Sequence, residues 1–149
     1  MENVKNIVED VLNKGQISFS RLEISEIAGQ KIVSITADNP KALIGIRGET
    51  IRAIDYLVKK IAEQKGVEDL RFLIDVNDYR IKQIEDLQSK AHIMAERAKS
   101  FQYDVELNPM SAYERLIVHV ALSDIPEVKT ESHGEGRNRR VVIRYVASV

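Results

Sequence analysis

Two glycines three residues apart, Gly45 and Gly48, stand between a short segment opened by Pro40 and an apolar-periodic run from Thr50 to Ala62. Glycine reaches backbone angles closed to other residues, and its missing Cβ lets another backbone come close. A glycine-bounded turn that feeds a helix therefore presents free N–H groups and the positive end of the helix dipole, a setting suited to phosphate. Inside the turn Ile46 is apolar, whereas Arg47 brings a guanidinium that can fork onto phosphate oxygens; Arg52, Lys59 and Lys60 follow. Ile51, Ile54, Leu57, Val58 and Ile61 recur at helical spacing, so a helix leaves the turn. A Walker phosphate loop is excluded, because its glycine spacing and Gly-Lys-Ser/Thr ending are absent. A tight helix–turn–helix corner with one exposed arginine would use the same residues, and spacing alone leaves both readings open.

The charge balance sharpens the question. A net charge of −1 argues against a broadly basic surface. The total hides a segregation: residues 31–65 hold seven Lys/Arg against four Asp/Glu, while residues 66–112 hold six against nine. Arg137, Arg139, Arg140 and Arg144 fall within eight positions free of acids. Local patches set phosphate affinity, so the distribution points to modest, salt-sensitive binding at two places. The absence of cysteine removes disulfides and thiolate chemistry. No run approaches a membrane span of about 18 apolar residues, and the N-terminus lacks the marks of a signal peptide. A cytoplasmic location without membrane partners is the expectation.

Periodicity orders the first half. Val4, Ile7, Val8, Val11 and Leu12 predict a helix over 2–14, ended by Gly15. Ile17–Ile27 and Lys31–Ala37 read as a hairpin turning at Gly29-Gln30, with a phase change between Phe19 and Leu22 that suggests a bulge. Asp38-Asn39-Pro40 breaks the second strand and starts the short helix before the glycine turn. Lys65-Gly66 ends the next helix, and Arg71–Val76 reads as a strand buried on both faces.

The second half opens with an amphipathic helix from Tyr79 to Phe101, striped by Ile81, Ile84, Leu87, Ala91, Met94, Ala98 and Phe101, with Asn77 or Asp78 as its N-cap. Asp104–Asn108 is a short strand candidate. Ser111 and Glu114 stand at capping-box spacing ahead of an apolar run in which Tyr113, Leu116, Ile117, Val120 and Ala121 can face a core. Arg115 and His119 are four apart and emerge on one helix edge. Glu127–Ser132 and Arg139–Ala147 read as strands joined by His133–Asn138. The alternative for the pair is structural: Arg115 paired with Glu114 or another carboxylate, His119 satisfying a buried polar group.

The stretch LIGIRGETIRAIDYLVKKI resembles the GxxG signature of the KH domain, whose loop clamps about four nucleotides. The order helix, strand, strand, helix, GxxG, helix, strand is the one that the type II variant of that fold would require. NPMSAYERLIVHVAL followed by TESHGEGRNRRVVIRY resembles the R-three-H domain, named for its Arg-x-x-x-His spacing and associated with single-stranded nucleic acid. Together with YRIKQIEDL and HGEGRNRR, the two modules in this order resemble the bacterial Jag family, also called SpoIIIJ-associated or KhpB-like proteins, over about Ile17 to Tyr145. The resemblance implies an α+β chain of two small α/β-sandwich domains joined by a long helix: a type II KH-like domain over 1–77, then an R-three-H-like domain over 78–149. It implies nucleic-acid contacts at Gly45, Ile46, Arg47, Gly48 and Arg52, and at Arg115, His119, Arg137, Arg139 and Arg140, with an apolar base groove near Leu43, Ile44, Ile51 and Ile54. Family members often carry lysine where this chain has Ile46, which leaves Arg47 to hold phosphate alone. Many also carry an extra N-terminal domain that this chain is expected to lack.

The expected function is RNA-level regulation by a protein that binds single-stranded RNA, with single-stranded DNA as a competing ligand. An interaction module that forms a homodimer, or pairs with a small KH protein through its KH surface, is the alternative. No enzyme and no cofactor are expected: His92, His119 and His133 lack metal-ligand spacing, and no nucleophile–base signature is visible.

Overall fold

The computed structural model describes residues 1–148 as a mixed α/β chain divided into two compact units, Met1–Ile81 and Lys82–Val149. In the first, α1 (Glu2–Lys14) precedes an antiparallel pair, β1 (Arg21–Ile27) and β2 (Gln30–Thr36). Then come α2 (Pro40–Ile44), a single 3-10 turn over Ile46–Gly48, α3 (Glu49–Gln64) and β3 (Phe72–Val76). The sheet runs β1-β2-β3 with β3 parallel to β2, Val33 beside Ile74 and Ile35 beside Val76. A parallel neighbour needs a crossover, and α2, the turn and α3 supply it. Val4, Val8 and Leu12 of α1 and Ile51, Val58 and Ala62 of α3 pack with Leu22, Val33, Ile35, Phe72 and Ile74 into one core. All five residues of β3 are buried, as a nearly continuous apolar strand requires.

Two local expectations fail here. The first strand starts at Arg21 rather than Ile17, and its pairing from Arg21–Thr36 to Ile27–Gln30 is unbroken, so there is no bulge. The phase change instead marks where the strand begins. Ile17 still belongs to the end of the first helix, its N–H donating to the Leu12 carbonyl, and both Ile17 and Phe19 pack against the core. Nor do Asn77 and Asp78 cap the following helix α4 (Tyr79–Phe101). Both have left-handed φ, and the Asn77 side chain binds the Ala37 backbone on each side. The cap is Asp75, buried at the end of β3: its carboxylate accepts from the N–H groups of Val76, Arg80 and Ile81. Burial pushes the Asp75 carboxyl up, against the pull of those donors.

In the second unit α4 continues, and β4 (Val105–Glu106) leads to α5 (Ala112–Leu122), β5 (Val128–His133) and β6 (Arg140–Tyr145). The sheet order is β4-β6-β5, antiparallel throughout. Ala91, Ala95 and Ala98 of α4 and Val118 and Leu122 of α5 cover Val105, Val128, Val141 and Ile143. The small α4 residues let the helix lie close to its neighbours. Phe101, placed on the stripe by periodicity, is exposed, and Ala95 takes its place. The buried face of α5 is also rotated from expectation: Ile117, Val118 and Leu122 point inward, while Leu116 and Val120 remain 43% and 41% exposed. No helix among the described residues is long and apolar enough to cross a membrane.

Candidate nucleic-acid interface

In the first unit the candidate site is the turn between α2 and α3. Gly45 has φ 73 and ψ −178, and Gly48 has φ 77 and ψ 19. A Cβ on Gly45 would lie 2.3 Å from Thr50 Oγ1 and 2.8 Å from the Thr50 nitrogen. At Gly48, which is buried, it would lie 3.1 Å from Cε1 of Tyr79. Both positions thus need glycine for angle and for room. Arg47, between them, is also left-handed at φ 55. Arg52 braces the turn by donating from Nη1 to the Arg47 carbonyl at 2.7 Å. Ile46 is 78% exposed, and the Arg47 guanidinium makes no hydrogen bond or ion pair among the described residues. The turn's hydrogen bonds tie up the N–H groups of Gly45 and Gly48 and leave those of Ile46 and Arg47 without a backbone partner among the described residues. Bare amides, one uncommitted guanidinium and the start of α3 make a corner that a phosphate can occupy.

Beside this corner lies a cleft of about 550 Å3, lined by Ile17, Ser18, Asp38, Asn39, Ala42, Leu43, Thr50 and Ile54. Of the four expected groove residues, Leu43 and Ile54 reach it, although both are largely buried; Ile51 is core and Ile44 packs against the core.

Below the turn, Asp55 of α3 and Arg80 of α4 form an ion pair at 3.2 Å, both nearly sealed from solvent, and Lys59 reaches the same carboxylate oxygen at 3.3 Å. The other oxygen, Oδ1, is buried without a hydrogen-bond partner among the described residues. This network and the Tyr79 ring under Gly48 fix how α3 leaves the turn, and neither was visible in local spacing.

The second unit places its candidate residues at α5. The capping box forms as the sequence predicts: Ser111 Oγ accepts from the Glu114 N–H, and the Glu114 carboxylate accepts from the Ser111 N–H at 2.7 Å. Glu114 is therefore committed to Ser111, and Arg115 instead donates to the Met110 carbonyl at 2.8 Å. Arg115 lines a cleft of about 490 Å3 with Arg137, Gly136, Ser111, Ala112, Pro109 and Met110. Both arginines line it, and Arg137 has no hydrogen-bond or ion-pair partner among the described residues.

His119, one turn on, bonds through Nδ1 to Thr130 Oγ1 at 2.6 Å, so the Nε2 edge is the one left for a ligand. Burial, helped by the charge of Arg115, holds the His119 pKa below its ordinary 6.5, and the ring is mostly neutral at pH 7. The other two candidates point to opposite faces of the sheet. Arg139 precedes Val141 and Ile143 on the covered face and folds back onto Ser132 Oγ and the Gly134 carbonyl. Arg140 lies on the outer face and pairs with Glu106 at 2.7 Å. Thr130, missed by motif reading, sits at an alternate position to the buried Val128, a parity that puts it under α5.

Residues 85–145 match the R-three-H domain, the family in which an arginine and a histidine are spaced as Arg115 and His119 are here. Over a wider span, the chain is homologous to proteins named RNA-binding protein KhpB. That of Clostridium symbiosum is 34% identical over 82% of this chain and 55% of its own length. That of Bacillus subtilis is 33% identical over 74% and 54%, and that of Streptococcus pneumoniae 28% identical over 96% and 42%. The chain spans about half the length of the curated relatives it matches, or less.

Proposed function

We propose that this chain is a non-enzymatic, cytoplasmic binder of single-stranded RNA that acts in RNA-level regulation. In this reading residues 1–77 are a type II KH-like domain, residues 78–149 are an R-three-H domain, and α4 joins them. The observation that carries the reading is the open corner at Gly45–Gly48. Its Ile46 and Arg47 amides and the Arg47 guanidinium are uncommitted among the described residues, and a partly apolar cleft adjoins it. Phosphate would rest on the corner while an unstacked base enters the cleft. In the second domain the Arg115–Arg137 cleft would take a further phosphate, with His119 contributing from its Nε2 edge. The relatives' names as RNA-binding proteins support the ligand class.

The test is a titration of labelled single-stranded RNA and DNA oligomers at two ionic strengths. It compares the wild type with an Ile46→Asp, Arg47→Asp variant and with an Arg115→Ala, His119→Ala variant. The first variant should melt as the wild type does and lose RNA affinity by about tenfold or more, since two anions would face the phosphates. Unchanged affinity would favour a second reading, a protein-interaction module forming a homodimer or pairing with a small KH protein. The apolar side chains Ile46, Tyr56 and Leu57, exposed on the turn and on α3, support that reading. Gel filtration with and without RNA separates the two.

A further inference from the structure

The cleft beside the glycine corner is not uniformly apolar. Ile17, Leu43 and Ile54 form its greasy walls, and Asp38, Asn39 and Thr50 supply its polar groups. Its volume of about 550 Å3 falls in the range of sites that take a small planar ligand. Thr50 ties cleft to corner, because it is the residue that Gly45 must leave room for. Asp38 is exposed, and among the described residues its carboxylate has no hydrogen-bond or ion-pair partner. Asn39, at the N-cap of α2, makes no side-chain cap bond. An unpaired carboxylate is a poor neighbour for a phosphate and accepts hydrogen bonds only. Adenine and cytosine offer an exocyclic amino group, a two-proton donor, on the edge that a splayed base presents. Uracil offers two carbonyl oxygens and a single ring N–H. An exposed carboxylate lining the cleft therefore attracts the first kind of edge and repels most of the second.

We infer that Asp38 is a specificity-determining residue, which makes the cleft favour bases that carry an exocyclic amino group over uracil. This rests on the proposal that single-stranded RNA lies along the glycine corner. No aromatic ring lines the cleft among the described residues, so stacking on the protein does not set the preference.

The experiment measures the affinities of short oligoadenylate, oligocytidylate and oligouridylate for the full chain, for Asp38→Ala and for the Ile46→Asp, Arg47→Asp variant. A charge-assisted hydrogen bond at a partly open site predicts wild-type preference for the amino-bearing oligomers by about fivefold. Asp38→Ala should weaken oligoadenylate and oligocytidylate while leaving oligouridylate unchanged or tighter, because the variant also removes an anion from the path of the backbone. That opposite sign is the signature, since a merely structural loss would weaken all three together. The inference is overturned if the wild type does not discriminate, or if Asp38→Ala discriminates as well as the wild type. If Asp38→Ala behaves as expected and the Ile46→Asp, Arg47→Asp variant binds like the wild type, the base contact stands and the corner's role falls. If neither variant changes any affinity, both fall.

Discussion

Arg137 and Arg140 lie three positions apart in one arginine-rich run, yet their surroundings give them different work. Arg137 is exposed, has no ion-pair partner among the described residues and lines one cleft with Arg115. Arg140 is held by Glu106, and a ligand phosphate would have to compete with that pair. Arg137→Ala should therefore weaken RNA binding several-fold and flatten the slope of log affinity against log salt by about 0.7, the release of one counterion from a single strand. Arg140→Ala should change affinity less than about twofold, as for a charge already screened by its partner. Fluorescence anisotropy at several salt concentrations reads both quantities. Run composition cannot make this distinction, because Glu106 is 34 residues away in sequence. His119 carries a related lesson: its spacing from Arg115 was legible, but its bond to Thr130 and mostly neutral state were not.

At the scale of elements, the glycine turn is where backbone geometry can be tested most cleanly. Gly66 is left-handed with open space around it, so Gly66→Ala should cost about 1 kcal/mol from backbone strain alone. Gly45→Ala adds a collision with the Thr50 side chain and backbone, and should cost about 3 kcal/mol. Urea unfolding followed by circular dichroism compares the two; equal losses would mean that the turn relaxes away from α3. Most elements were readable because their signals are local: apolar spacing for α1, α3 and α4, proline and glycine for the ends of α2 and α3, Ser-x-x-Glu for the start of α5. The failures have physical causes. Apolar residues surround most of α5, from Leu116 to Leu122, so periodicity could not fix which side faces inward. The cap of α4 comes from Asp75, inside a strand, and its buried brace joins Asp55 to Arg80, 25 residues apart. Long-range partners leave no periodic trace.

For the molecule as a whole, two modest sites on one strand should act through effective concentration. On an RNA of about six nucleotides, which can engage one site at a time, disabling either site should lower affinity by no more than about the share that site contributes. On an RNA of about thirty nucleotides, the same variants, Ile46→Asp with Arg47→Asp or Arg115→Ala with His119→Ala, should each cost an additional tenfold or so. Equal losses on both lengths would mean that the units bind independently. The outer face of the second sheet bears on how such a protein lets go. Arg140 pairs with Glu106 and Arg144 with Glu131, whose carboxylate also bonds the His133 ring, while Lys129 on the same face has no ion-pair partner among the described residues. On the proposed reading, a passing RNA strand would find less unanswered charge on that face than at Arg47 or Arg137. On that reading, a weak hold across this face would favour brief residence and a ready exchange of one transcript for the next.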